Sequence, residues 1–254
     1  MTGKLSGRVA LVVGGGGIGG ATARRLAADG AAVVIGDVNA GNAATIAAQI
    51  TALGGNAAGL GCDISDESAV AALVSAAVTR FGGLDLMHAN AADLQVIFWD
   101  SNAVDVDMDV FERTIAVNLR GYLYCTRHAV PQMLRRGAGA IVYTSSGASF
   151  IGEPERPCYA MAKAGVNALM RHVASRWGKQ GIRANVVAPG LVLTENNLKT
   201  MPEEVKAASL ARIRSTRLGV PEDVAAMVAL LLSDDGAWIN GQVISVDGGA
   251  TMRS

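Results

Sequence analysis

Short, unbroken apolar runs alternate along this chain with longer Ala-rich segments in which apolar residues recur every three or four positions. Seven runs read as strands: RVALVV at 8–13, AAVVIG at 31–36, NAAGLGCD at 56–63, LDLMHA at 84–89, GAIVYTS at 139–145, IRANVVA at 182–188 and QVISVD at 242–247. They are nearly continuous in apolar or small residues rather than alternating, as strands covered on both faces must be. The segments between them are long enough for crossover helices. Strand and helix in steady alternation predict one α/β domain over 1–254, a doubly wound, Rossmann-like parallel sheet of about seven strands with helices on both faces. The rhythm breaks at roughly 191–218, a charged stretch of helical character that reads as a mobile lid over the substrate.

Composition narrows the picture. At 254 residues and half apolar, the chain can bury a substantial core. Its 22 basic and 22 acidic residues cancel, with no basic stripe for nucleic acid or an anionic membrane surface. Charges interrupt every apolar run well before the roughly 20 residues of a membrane span, and the N-terminal MTGKLSGR lacks an apolar signal segment. Cys62, Cys125 and Cys158 have neither paired nor metal-ligand spacing, which fits a reducing cytoplasm. His88, His128 and His172 are equally scattered, so no catalytic metal is expected. His88 ends a strand and reads as a packed wall residue.

Two groups of residues carry chemistry. The first strand runs straight into GGGGIGG and then into a helical pattern, so backbone N–H groups and the positive end of a helix face one point: a phosphate site. Gly14, Gly16 and Gly19 fit G-x-G-x-x-G, while Gly14, Gly17 and Gly20 fit the alternative G-x-x-G-x-x-G, and spacing alone does not choose. Asp37 closes the second strand about 20 residues later, where a carboxylate accepts from an adenosine ribose and repels a 2′-phosphate. No Arg or Lys adjoins it, so the expected cofactor is NAD. The second group is Ser146, Tyr159 and Lys163. Tyr159 and Lys163 share one helix face, so an ammonium can sit beside a phenol and lower its pKa, and Ser146 can polarise a reacting oxygen.

On these motifs the chain resembles the short-chain dehydrogenase/reductase family, from about Gly7 to Gly249. The family carries a Ser, a Tyr and a Lys at the spacing of Ser146, Tyr159 and Lys163, with an Asn in a run like NLRG, here Asn118. The resemblance implies an NAD-dependent oxidoreductase that moves a hydride between nicotinamide and a secondary alcohol or ketone, with Tyr159 as general acid/base. It implies that Asn118 holds a water linking Lys163 to solvent. The implied cofactor contacts are Gly14, Gly16, Gly17, Ile18, Gly19, Asp37, Val38, Asp63, Ile64, Asn90, Ala91, Tyr159, Lys163, Pro189, Gly190, Val192 and Thr194. It further implies a homo-oligomer, a homotetramer foremost, in which helices over 106–130 and 158–174 pair between subunits.

Three departures stand out. The family's usual T-G-x-x-x-G-I-G would put Val12 and Val13 on a Thr and a Gly; a loop one residue shorter, starting at Gly14, avoids forcing valine into a glycine turn. Ala89 and Ala92 replace an Asn and a Gly of the family's N-N-A-G. Glu153, Glu155 and Arg156 bring charge to a stretch that is usually apolar, and read as a solvated loop. The specificity surface falls on 93–106, 149–156 and 192–218, without a recognisable substrate code. Two other readings stay open: a catalytically silent NAD-binding protein, and a nucleotide-sugar epimerase or dehydratase, which normally has a larger C-terminal substrate domain.

Overall fold

The computed structural model describes residues 3–252, apart from the side chain of Asn196. Its strands are β1 (Val9–Val13), β2 (Ala32–Asp37), β3 (Ala57–Gly61), β4 (Leu86–Ala89), β5 (Gly139–Thr144), β6 (Ile182–Pro189) and β7 (Val243–Val246). Between them run α1 (Gly17–Ala28), α2 (Ala40–Ala52), α3 (Glu67–Phe81), α4 (Met108–Ile115), α5 (Gly121–Arg136), α6 (Pro157–Trp177), α7 (Glu195–Thr200), α8 (Glu203–Arg212) and α9 (Pro221–Leu232). All pairings are parallel, in the order β3-β2-β1-β4-β5-β6-β7. Each of the seven apolar runs holds one strand.

Burial on both faces explains the unbroken runs. Val9, Leu11 and Val13 point into a core shared with α3, α5 and α6, while Ala10 and Val12 point into one shared with α1, α2 and α9. Because successive side chains alternate between faces, a strand sandwiched by helices needs apolar residues at every position. The chain leaves β1 for β2 and β3 on one side, then crosses to β4 on the other. Beyond the carboxyl ends of β1 and β4 this reversal opens the crevice in which such sheets bind ligands. Gly14, Asp37, Asp63, Asn90, Ser146 and Gly190 all follow strands onto that edge.

The stretch over 106–130 departs from one regular helix. Between α4 and α5 the backbone widens into a π turn over Ala116–Arg120, and Asn118 lies on it with its surface fully buried. Such turns add a residue to the helical repeat and are frequent at functional sites. The charged segment over 191–218 holds α7 and α8, and its base is fixed by a bridge between Val192 and Gly219 and by Arg217, which grips Asp223 at the start of α9 through contacts of 2.7 and 2.8 Å.

Candidate active site

The glycine loop is closed by contacts only glycine allows. Gly14 has φ +94°, and a Cβ there would stand 2.6 Å from the backbone of Ala91; a Cβ on Gly19 would stand 1.7 Å from the carbonyl oxygen of Gly14. These are the first and third glycines of the G-x-G-x-x-G reading, and the strained turn begins at Gly14, as the shortened loop requires. Gly16 caps α1 with open space beside it, while Gly17 touches Thr194 so closely that a Cβ would meet its Cγ2 at 2.5 Å. The start of the 191–218 segment therefore sits on the loop. Ile18 packs into the core beneath.

Asp37 braces the same loop from the side. Its carboxylate accepts from Gly15 N at 2.8 Å, Asn39 N at 2.8 Å and the Asn42 amide at 3.1 Å, and Val38 beside it is exposed. Arg25 is engaged with Asp29 and Arg24 with Gln49, so neither is turned toward Asp37. On the adjoining wall Ile64 is buried, and Asp63 accepts from Ser65 and lies 3.9 Å from Arg113, which also binds Asp93 at 3.0 Å. Asn90 donates to the Gly14 carbonyl at 3.1 Å, joining the end of β4 to the loop. Pro189 pairs with Val246, Gly190 abuts Asp247, and buried Val192 leads to Thr194.

The reactive group forms where β5 ends and α6 begins. Tyr159 and Lys163 stand on one face of α6, with the Lys163 Nζ 5.7 Å from the Tyr159 ring centre. The Ser146 hydroxyl faces the Tyr159 phenol and favours its ionised form, but burial outweighs it and pushes the phenol above its ordinary value. This corrects the sequence expectation of a depressed Tyr159. Lys163 is only 1% exposed, and burial draws its amine down to about 7, so keeping its charge is costly. Its Nζ donates to the Thr144 carbonyl at 3.0 Å and to the Tyr122 hydroxyl at 3.2 Å. Both amide atoms of Asn118 are buried without a partner among the described residues, the arrangement of a side chain that serves a water or a ligand.

Several residues of this centre are absent from any sequence motif. Asp100, 3% exposed, reaches across from the loop after β4 and accepts from Tyr159 N at 2.8 Å and Cys158 N at 3.2 Å, supplying a carboxylate to the first turn of α6. Arg156, at φ 65°, donates its N–H to the Asp100 carbonyl and pairs its guanidinium with Glu153, so part of the charged loop is internally satisfied. Burial and Asp100 push the Cys158 thiol up to about 11, which leaves it a neighbour of Tyr159 rather than a nucleophile. Thr144 is a hub: its hydroxyl donates to Asn90 at 3.0 Å and so receives the His88 Nε2 proton at 2.8 Å. Burial holds His88 neutral, its pKa drawn down to about 3. Among the described residues no cluster of His, Cys, Asp and Glu could hold a metal ion.

Known proteins resemble the chain over nearly its whole length. The profile of the family described as enoyl-(acyl carrier protein) reductase matches residues 13–251. A probable short-chain type dehydrogenase/reductase of Bradyrhizobium diazoefficiens is 43% identical over 97% of this chain and 88% of its own. The cis-4-hydroxycyclohexanecarboxylate dehydrogenase of Sinomonas cyclohexanicum is 40% identical over 96% of each. Among solved structures, a 7α-hydroxysteroid dehydrogenase complexed with NADH and 7-oxo glycochenodeoxycholic acid superposes with a TM-score of 0.89 at 30% identity, covering 98% of this chain and 96% of that one.

Proposed function

The chain belongs to the short-chain dehydrogenase/reductase family of oxidoreductases, and on that premise we propose that it is an NAD-dependent dehydrogenase of a secondary alcohol or its ketone, on a mainly apolar and alicyclic scaffold. The observation that carries this reading is Tyr159 and Lys163 on one face of α6, Nζ 5.7 Å from the ring centre, with Ser146 at the end of β5, on the sheet edge that also bears the glycine loop. The cradle fits a dinucleotide: a loop in which Gly14, Gly17 and Gly19 leave no room for a side chain, and N–H groups at the start of α1; the partnerless amide of Asn118 is suited to hold a water beside Lys163. Bound nicotinamide supplies the hydride acceptor or donor. Tyr159 takes the hydroxyl proton in oxidation and returns it in reduction, Ser146 orients the reacting oxygen, and Lys163 supplies the positive charge that favours phenolate.

NAD(H) over NADP(H) rests on Asp37, held by three donors with no cation turned toward it. We expect a preference of roughly tenfold to a thousandfold in kcat/KM. The alicyclic scaffold draws support from the substrates named for two relatives and from Phe98 and Trp99, both largely exposed on the loop that carries Asp100. A homotetramer is the proposed assembly, since Leu123 on α5 and Met161 on α6 each expose about half of their surface. No helix among the described residues is long and apolar enough to cross a membrane, and the proposed location is the cytoplasm.

Nicotinamide absorbance, followed with each dinucleotide and a panel of alicyclic alcohols and ketones, tests the reading. Tyr159→Phe should bind NAD as before and lose at least about a hundredfold in kcat. Dinucleotide binding with no turnover of any alcohol or ketone by the unaltered protein would favour a silent binding protein instead.

A further inference from the structure

Tyr122 is, with Tyr143, among the largest fully buried side chains of the described residues, and it belongs to none of the motifs above. Its ring stacks on Tyr143 with centres 6.2 Å apart, in a core where phenylalanine would fill the same space. A hydroxyl there is costly unless satisfied. It is satisfied at one place only among the described contacts: Tyr122 donates to the Thr144 carbonyl at 3.2 Å and accepts from Lys163 Nζ at 3.2 Å, while Nζ also reaches that carbonyl at 3.0 Å. Three polar atoms thus close a triangle inside the core, and the ammonium lies 4.7 Å from the Tyr122 ring centre, within cation–π range.

We propose that Tyr122 is a positioning residue for the reaction, its phenol seating the Lys163 ammonium in place and in charged form. The inference rests on the reading of Lys163 as the cation that acts on Tyr159. The direction of the bonds follows from the surroundings. Burial raises the Tyr122 phenol well above its ordinary value, so it keeps its proton for Thr144 and offers a lone pair to Lys163. The titratable groups around the seat are Tyr122 and Cys125 on α5, Tyr143 on β5 and Tyr159 on α6. Glu153 and Arg156 act on Tyr159, whereas burial disfavours the charge on Lys163, and the two oxygens that accept from its Nζ offset part of that cost. An ammonium that loses one of them is harder to keep charged.

The test needs neither substrate nor cofactor. In protein carrying 13Cε-lysine, the Lys163 resonance, assigned by its loss in Lys163→Met, should titrate near neutral pH and shift its midpoint down by about one pH unit in Tyr122→Phe, a tenfold change in the ionisation constant. An unchanged midpoint would overturn the proposal. Should Tyr122→Phe not fold, the unaltered protein with 13Cζ-tyrosine serves. The chain has only 4 tyrosines, so single Phe replacements at 124, 143 and 159 assign Tyr122 by elimination. Its resonance must move as Lys163 titrates, and a flat trace refutes the seat. A shifted midpoint without any dehydrogenase turnover sinks the proposed function and leaves the seat standing; turnover without the shift does the reverse.

Discussion

Lys163→Met should make the cofactor-free protein more stable while ending its catalysis. The lysine is enclosed, and burial draws its amine from 10.5 to about 7. Because the folded-state value lies below the unfolded one, Lys163 costs the fold nothing above about 10.5, where the amine is neutral in both states, and the cost grows as pH falls from there and is complete below about 7. At about 1.4 kcal/mol per pH unit, the gap amounts to about 5 kcal/mol below pH 7 and slightly less at neutral pH. Methionine keeps the length and removes the charge, and Tyr122 retains its bond to Thr144. Packing differences and the lost Nζ bonds offset part of the gain, so roughly 2–4 kcal/mol should remain, or about 2–4 °C in Tm for each kcal/mol. Urea unfolding of both proteins at about pH 7 and about pH 10.5 reads this directly. The advantage of Met should be large at the first pH and nearly gone at the second. Equal advantages at both, or a Met variant less stable than the parent at neutral pH, would refute the argument.

Asp100→Ala should cost about 2–4 kcal/mol in unfolding free energy, because two buried N–H groups of α6 lose a charged acceptor. Asp100→Asn, which keeps one acceptor oxygen, should recover part of it; equal losses in both would show that the amide cannot replace the carboxylate. Gly14→Ala pushes a Cβ into the backbone of Ala91, and calorimetry should find dinucleotide binding weakened by at least about tenfold; unchanged affinity would mean the loop moves freely. Asp223, drawn down to about 2 chiefly by Arg217, contributes stability that is present above about pH 4 and lost as pH falls toward 2. Asp223→Asn should flatten that part of the acid-unfolding curve, by a modest amount since the pair is partly exposed, and a curve of unchanged slope would count against the pair.

The strands were legible because the central ones are covered on both sides, which leaves a contiguous apolar signature; β1, with all five residues buried, is the plainest case, whereas the edge strands β3 and β7 are only partly buried. The glycine loop, Asp37, Ser146, Tyr159 and Lys163 were legible for a different reason: each acts through neighbours close in sequence or through a fixed offset. Asp100 was not, since in WDSNAVDVD it looks like a surface turn and its partners lie 58 and 59 residues further on. Tyr122 was hidden by its apolar ring, which fits the helical pattern of NLRGYLYC whether or not the hydroxyl has work to do. The π turn left no trace either, as one extra residue hardly disturbs the periodicity of 106–130. The upward displacement of Tyr159 depends on burial in three dimensions, whereas the i, i+4 spacing spoke only for the lysine's charge.

Thr144 also bears on how this enzyme can change over generations. Its side chain speaks to the nucleotide loop through Asn90, whereas its peptide carbonyl holds Lys163 and Tyr122. Replacement of the side chain can alter the first link, but the second belongs to the main chain and survives any residue whose backbone keeps its place. On the proposed function, drift at this codon exposes cofactor affinity to selection while shielding the proton chemistry, so that one position offers the lineage a dial for the nucleotide and a fixture for the lysine.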